Sequence, residues 1–331
     1  VTTLSPIRLT ELLAKFKNKR IAVVGDVMID KYLWGSVGRI SPEAPVPIVE
    51  VDRETERLGG AANVANNVKS LGGSPLMVGV VGDDENGVLL TKLLAGQECP
   101  TNGIVIDPSR PTTVKTRVIA HSQHVVRIDK EQKRDISSSV QEQILTALRK
   151  TIDTLDGIIL EDYNKGVIVA SLIHQIIGMA REHGKIVTVD PKFQNFFEYK
   201  NASVFKPNRK EVEEALGVKL ASDKDIREAL ELLKRKLNAE NVLITLGEQG
   251  MSLLDNQGAL MHLPTRAQHV ADVSGAGDTV IATLTMALAS GASIHESASL
   301  ANFAGGVVCG EVGIVPIMPD ALLATVLSYQ S

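Results

Sequence analysis

Cysteine is scarce in this chain: two in 331 residues, Cys99 and Cys309, far apart and in apolar or loop surroundings. That pattern excludes a disulfide framework and suits a reducing cytoplasm. No run of 18 apolar residues occurs, so no transmembrane helix is expected. The seven histidines form no HExxH or comparable metal box. His121 and His124 stand three apart, but in a strand-and-turn segment that does not suit a metal site. There is no GxxxxGK(S/T), which excludes a P-loop enzyme, and no GxGxxG after the first strand, which argues against a dinucleotide dehydrogenase. An excess of positive charge is missing too. With 35 Lys and Arg against 39 Asp and Glu, the net charge of -4 gives no support for nucleic acid or an anionic membrane as partner.

What remains is an ordinary globular composition, 44% apolar and 22% charged, in a chain long enough for a substantial core. Residues 1–331 are read as a single domain with an appendage, without internal repeats or a low-complexity linker. The first twenty residues suggest an amphipathic helix (Ile7, Leu9, Leu12, Leu13, Phe16) and lack a signal peptide's apolar core and cleavage site. Opening on Val1 rather than Met is expected of a processed or trimmed chain.

Apolar β-branched runs predict strands at Arg20–Gly25, Leu76–Gly82, Gly157–Glu161, Lys185–Asp190, Ser203–Lys206 and Val242–Leu246. Between them, helical periods predict helices at Ala61–Leu71, Asn86–Ala95, Ser137–Asp153, Val169–His183, Lys210–Gly217, Asp223–Leu237, Ala276–Ala289 and Ile294–Cys309. Continuous apolar strands alternating with helices indicate an α/β fold, a doubly wound and mainly parallel sheet covered on both faces. Ligands in such sheets bind at the carboxyl ends of the strands, where Gly25-Asp26, Asp190-Pro191, Pro207-Asn208 and Gly247 fall.

Two segments, about 34–52 and 112–129, break this rhythm with alternating polar and apolar residues. They predict antiparallel strands forming a small β-sheet lid with one wet face. Pro45 and Pro47 fit an edge strand. An exposed edge invites a partner, so a homodimer through the lid is expected.

The stretch Asp272-Val-Ser-Gly-Ala-Gly-Asp278-Thr, followed by an apolar run from Val280, carries the most chemistry. Gly275 and Gly277 around Ala276 let successive N–H groups converge, and the helix beginning there adds the positive end of its dipole. Asp278 then lies beside an anion hole, a poor place for a purely binding carboxylate and a good one for a phosphoryl-transfer base. The plainer reading is a glycine turn before a helix with an acidic first turn.

Other clusters share that ambiguity. Gly59 and Gly60 allow a ligand close to the backbone, and Asn63 offers donor and acceptors to hydroxyls, or they form a loop before an Ala-rich helix. Asp26 and Asp30 stand at the end of the first strand, where a carboxylate can anchor vicinal hydroxyls or close a turn. Asn208 and Glu211 fit a capping box, and Glu211 also fits a group organising the water shell of Mg²⁺. Thr245, Gly247 and Gly250 read as a glycine hairpin or as a nucleotide contact. Arg117, Arg127, Lys165 and Lys192 read as solvated cations unless the substrate carries a phosphate, which a subset of them would clamp.

Taken together, the early Gly59-Gly60…Asn63, the Asn208…Glu211 and the late Asp272…Asp278 motifs resemble the ribokinase/PfkB-type carbohydrate kinase family over essentially the whole chain. The resemblance implies a ribokinase-like sheet with a β lid, ATP and Mg²⁺ as cofactors, and γ-phosphoryl transfer to a sugar hydroxyl. It implies Asp278 as catalytic base and Gly275, Ala276 and Gly277 as anion hole. Asn208, Arg209, Lys210 and Glu211 map to the ATP–Mg²⁺ region, and Thr245, Gly247 and Gly250 to the nucleotide loop. Some members bind K⁺ near the anion hole, with which Asp272 and Ser274 are compatible.

Gly25-Asp-Val-Met-Ile-Asp-Lys-Tyr32, Gly38-Arg-Ile-Ser-Pro-Glu-Ala-Pro-Val-Pro47, Asp162-Tyr-Asn-Lys-Gly166 and Val189-Asp-Pro-Lys192 are similar to the D-glycero-β-D-manno-heptose-7-phosphate kinases. That subgroup implies a sugar phosphate held by Asp30, Gly59, Gly60, Asn63 and the basic residues named above. Such kinases are often fused to an adenylyltransferase. Without its HxGH-type motif this chain resembles a stand-alone kinase or the kinase part. Rival expectations are another sugar kinase of the family, or a non-catalytic sugar- or nucleotide-binding regulator on the same scaffold.

Overall fold

Runs of buried Val, Ile and Leu build the centre of the molecule, seen here in a computed structural model that describes residues 5–121, 123–267, 270–311 and 313–329. Among the described residues a nine-stranded sheet runs in the order β13 (Leu260–Leu263), β12 (Met251–Leu254), β11 (Asn241–Thr245), β10 (Val204–Phe205), β9 (Ile186–Asp190), β8 (Gly157–Glu161), β1 (Arg20–Gly25), β4 (Ser74–Val81), β5 (Gly103–Ile106). From β11 to β5 all neighbours are parallel, and only β12 and β13 pair antiparallel at one edge. β8 is buried at all five positions, as a central parallel strand covered on both faces requires.

Helices cover both faces, so two apolar cores form. One lies under α1 (Pro6–Phe16), α2 (Ala61–Ser70), α3 (Glu85–Gly96), α8 (Ala276–Ala289), α9 (Ile294–Cys309) and α10 (Pro319–Ser328). The other lies under α4 (Ser138–Arg149), α5 (Ala170–Glu182), α6 (Arg209–Leu216) and α7 (Asp223–Leu237). α7 shows how local sequence sets its own limits: Ser222 and Asp225 form a reciprocal cap at its start, and Asn238 in the left-handed region ends it. α8 is buried from Asp278 to Ala287, an apolar helix packed on all sides. Its register is therefore held by the core, which fixes where its first turn points. None of the described helices is long and apolar enough to cross a membrane.

The lid is a separate four-stranded sheet, ordered β3 (Pro47–Gly60), β2 (Val27–Ile40), β6 (Thr113–Ala120), β7 (Gln123–Lys130). β3 starts at Pro47 and is an edge strand, where a proline is tolerated, and Pro45 lies just before it. Three expectations change here. β2 and β6 pair parallel, so the lid is mixed rather than antiparallel. β2 and β3 also extend well beyond 34–52, back to Val27 and on to Gly60. The alternation in β7 does not mark one wet face, since all eight of its residues are exposed.

Candidate active site

Gly275 opens α8 at φ 79, a left-handed conformation that glycine adopts without strain, and no side chain caps the helix. Gly275, Ala276 and Gly277 line the cleft, and the Gly275 and Gly277 amides are left open there, while the Ala276 N–H donates to Val273 O at 3.3 Å. A Cβ placed on Gly277 would meet Asp190 Oδ2 at 3.6 Å and Lys206 Nζ at 3.9 Å, ordinary contacts. The protein itself does not demand glycine there. What the missing side chain preserves is room for a ligand against the amides.

Asp278 follows in the same turn and is only 4% exposed. Its carboxylate accepts from Asn63 Nδ2 at 2.7 Å and from Tyr163 Oη at 2.8 Å. Burial raises its pKa, against the pull of those two donors, to about 6. A carboxylate in that range is ionised at neutral pH and still basic enough to take a proton. Asn63, expected among the sugar contacts, thus has one donor committed to Asp278.

Below the glycine turn the ends of the parallel strands bring three more charged groups together. Asp190, the last residue of β9, pairs with Lys206 at 2.7 Å. Burial works against the Lys206 charge, but Asp190 outweighs it and raises the pKa. Glu161, the register partner of Asp190, is fully buried with neither carboxylate oxygen hydrogen-bonded. Burial, then Asp190 and Asp278, push its pKa well up, which favours the neutral form.

A cavity of about 740 Å³ opens from this point towards β11. Asn208, Arg209, Lys210, Thr245, Gly247, Gly250 and the turn 275–278 all line it, as the sequence reading placed them. A bridge between Asn208 and Thr245 ties the two strand ends together. At Gly250, φ 83, a Cβ would lie 2.0 Å from Leu263 O, so glycine is required by the hairpin itself. Glu211 is not in the lining: its carboxylate accepts from the Asn208 N–H at 2.8 Å and from Lys192. The capping box is present as expected, and it uses the carboxylate that was to face the metal. Asp190 does line the cavity, so Asp190 with Glu211 behind it is the acidic pair suited to a hydrated Mg²⁺.

Asp272 bridges the loop before α8 to the segment after α9, accepting N–H groups of Ser274 at 2.9 Å and Gly313 at 3.1 Å. Burial opposes its charge, but these donors outweigh it and lower the pKa.

The sugar side needs the largest corrections. Asp30 does not lie in a turn ending the first strand but inside β2, 3% exposed and ion-paired with Arg117 of β6. Asp26 is the structural one: its carboxylate accepts the N–H groups of Tyr163, Lys165 and Val167 and so holds that loop in place. Gly59 and Gly60 end β3 rather than forming a loop, and a Cβ on Gly59 would fall 2.1 Å from Asp30 Oδ2. Asp30, Gly59 and Asn63 are thus gathered at one end of the cleft, beside Asp278.

Of the four clamp cations none is free. Arg127 pairs with Asp129 on the exposed β7, Lys165 with Glu131 at 2.5 Å, Lys192 with Glu211, and Arg117 with Asp30. Sequence reasoning missed Tyr163, Lys206 and the role of Asp190. Tyr163 lay within the noted Asp162–Gly166 motif, and Asp190 on the noted strand edge, but their partnership with Asp278 and Lys206 depends on packing between distant segments.

Residues 18–321 match the pfkB family of carbohydrate kinases. The chain is 45% identical over 295 residues to the bifunctional protein HldE of Helicobacter pylori (strain HPAG1), covering 89% of this chain and 64% of that protein. It is 44% identical over 308 residues to the HldE of Geobacter sulfurreducens, covering 93% and 63%. The chain thus spans less than two thirds of these relatives. Among solved structures, phosphofructokinase-2 from Escherichia coli in complex with potassium superposes with a TM-score of 0.76 at 19% identity, covering 95% of this chain and 99% of that one. Arabidopsis thaliana ribokinase with ribose and ATP gives 0.74 at 20% identity, covering 93% and 98%. These two show the fold alone, ribokinase-like. The match over residues 18–321 is what decides the matter, and by it the chain belongs to the pfkB family of carbohydrate kinases.

Proposed function

We propose that this protein transfers the γ-phosphoryl group of ATP to the anomeric C1 hydroxyl of D-glycero-β-D-manno-heptose 7-phosphate. The product is the 1,7-bisphosphate used on the way to ADP-heptose and the lipopolysaccharide core. The observation that carries the reading is Asp278, buried, near pKa 6 and aimed by Tyr163 and Asn63 beside an uncapped helix start. Its choice of sugar is supported by the heptose-kinase-like motifs and by the 45% identity to HldE.

In this reading the hydroxyl lies between Asp278 and Asp30. Asp278 takes its proton as the oxygen bonds to the γ-phosphorus, the bridging P–O bond breaks, and ADP leaves. Positioning and charge neutralisation do most of the work in such transfers. The Gly275–Gly277 amides hold the transferring group's oxygens, and Lys206 and Lys192 bring positive charge to the same end. Mg²⁺, where bound near Asp190 and Glu211, supplies neutralisation of the phosphate charge. Asp272 with Ser274 is the assigned place for K⁺.

Residues 1–331 act in this reading as one kinase domain, with segments 34–52 and 112–129 in its lid. The lid joins two copies in a homodimer, supported by Val126 and Ile128, 49% and 55% exposed on β7. The cytoplasm is the assigned compartment, in keeping with the free cysteines Cys99 and Cys309. ADP release measured against a panel of sugars and sugar phosphates tests the reading. Highest kcat/KM is expected for the heptose 7-phosphate. A better ribose, fructose or tagatose 6-phosphate turnover replaces the sugar, and no ADP release with any of them removes the kinase reading.

A further inference from the structure

We propose that Lys115, on lid strand β6, is the specificity-determining residue that receives the phosphate of the sugar substrate. The inference rests on the phosphosugar reading above and names the residue that enforces it.

The argument starts from charge that is left over. Arg117, Arg127, Lys165 and Lys192 are each committed to a carboxylate. Lys115 forms no ion pair and no hydrogen bond among the described residues, though it is only partly exposed. In the lid register it stands between Asp30 of β2 and Asp129 of β7, so the three side chains share one sheet face. On that face Asp30 is taken by Arg117 and Asp129 by Arg127. Arg57, the register partner of Asp30 on β3, donates to Ile314 O at 2.6 Å, which leaves Lys115 on that face with neither ion pair nor hydrogen bond.

Its position matches the need. Lys115 Nζ lies 5.1 Å from the Tyr163 ring centroid, and Tyr163 Oη lies 2.8 Å from Asp278 Oδ1. Standard bond lengths then put the ammonium within about 11 Å of Asp278, and at roughly 8 Å if it stands over the ring face, close to the span of a seven-carbon sugar phosphate. A substrate with its reacting hydroxyl at Asp278 reaches Lys115 with its far end. Burial lowers the Lys115 pKa, with Asp30 opposing, which marks a cation short of solvent and partners. A phosphate supplies both charge and acceptors, and lysine binds it as a point charge.

The experiment compares wild type, Lys115→Met and Lys115→Arg with D-glycero-β-D-manno-heptose 7-phosphate and the unphosphorylated heptose, and with fructose 6-phosphate and fructose. For Lys115→Met, KM for the phosphorylated sugar rises roughly 10–100-fold, the worth of one charged hydrogen bond. KM for ATP stays within about twofold, and kcat/KM for the unphosphorylated sugar falls less than about threefold. Lys115→Arg recovers most of the phosphate preference, which a purely structural role would not produce. If Lys115→Met keeps the wild-type preference for the phosphorylated sugar, the assignment of Lys115 is overturned while the phosphosugar reading stands. If Lys115→Met does not fold, an arginine variant that is folded yet indifferent to the phosphate overturns it equally. A wild-type enzyme that does not distinguish sugar from sugar phosphate removes both.

Discussion

Asp278 sits at the junction of two opposed demands, being buried enough to be basic and hydrogen-bonded enough to stay ionised. Burial raises its pKa to about 6, and donors from Asn63 and Tyr163 restrain the rise. As the base it must be deprotonated, so kcat/KM falls as pH drops through about 6. Tyr163→Phe removes a donor to the charged form, so the acid limb moves to higher pH. A pH–rate profile of the two proteins checks this, and an unmoved limb would separate Tyr163 from the base. Asp278→Asn lowers kcat roughly 10²–10⁴-fold, the usual worth of a positioned base, while ATP binding persists in a calorimetric titration. The same shift has a stability side. A folded-state pKa above the unfolded value near 3.8 favours the fold fully below that value, and the benefit is lost as pH rises through about 6. Asp278→Asn therefore gains about 1–3 kcal/mol at pH 8 relative to pH 4, read from denaturant midpoints at both.

Among the elements, the glycine turn and the end of β3 are where a single methyl group tells most. Gly277→Ala meets only ordinary contacts from the protein. Its melting temperature is expected near wild type while kcat falls about 10²-fold, the worth of one oxyanion donor. Gly59→Ala drives a Cβ against Asp30 Oδ2 and must displace that carboxylate. It is expected to raise KM for the sugar and to cost about 1–3 kcal/mol of stability by overpacking; an unchanged sugar KM would place the sugar elsewhere.

These elements also show what was readable beforehand. α7, α8 and α9 fall where expected, because capping residues and apolar periodicity are local signals. The parallel strands β1 and β8 likewise match their apolar runs. β5, β13 and α10 were not anticipated: two are four-residue strands, too short for a pattern, and α10 has no side-chain cap. Asp30 is expected at the end of the first strand, as a sugar anchor or a turn residue, whereas β2 begins one residue after Asp26 and runs through it, because the lid strand follows β1 almost without a break. The glycine turn before α8 was legible as a motif. Its companions were not, since Tyr163 and Asp278 are 115 residues apart and Asn63 and Asp278 are 215 apart.

For the molecule as a whole, the main sheet gathers the cavity-lining residues along its carboxyl edge, and in the proposed reading the lid supplies the sugar's specificity. If the lid also holds two copies together, Ile128→Lys on the exposed strand β7 weakens the pair, and sedimentation velocity is expected to show a shift towards monomer. A monomeric wild type would leave those apolar residues without that role.

The β2–β3 arm of the lid joins the body at two adjoining points, Asp26 between β1 and β2 and Gly60 where β3 meets α2, joined by the Ala61 N–H to Asp26 O at 3.0 Å. These pivots lie within a few residues of Asp30 and Asn63. A lever swings furthest at its tip and least at its fulcrum, so rocking of this arm would sweep Ile40 and Pro47 widely while Asp30 would barely travel. In the proposed reading, admission of substrate and fixation of its reacting end would thereby be separated along one pair of strands.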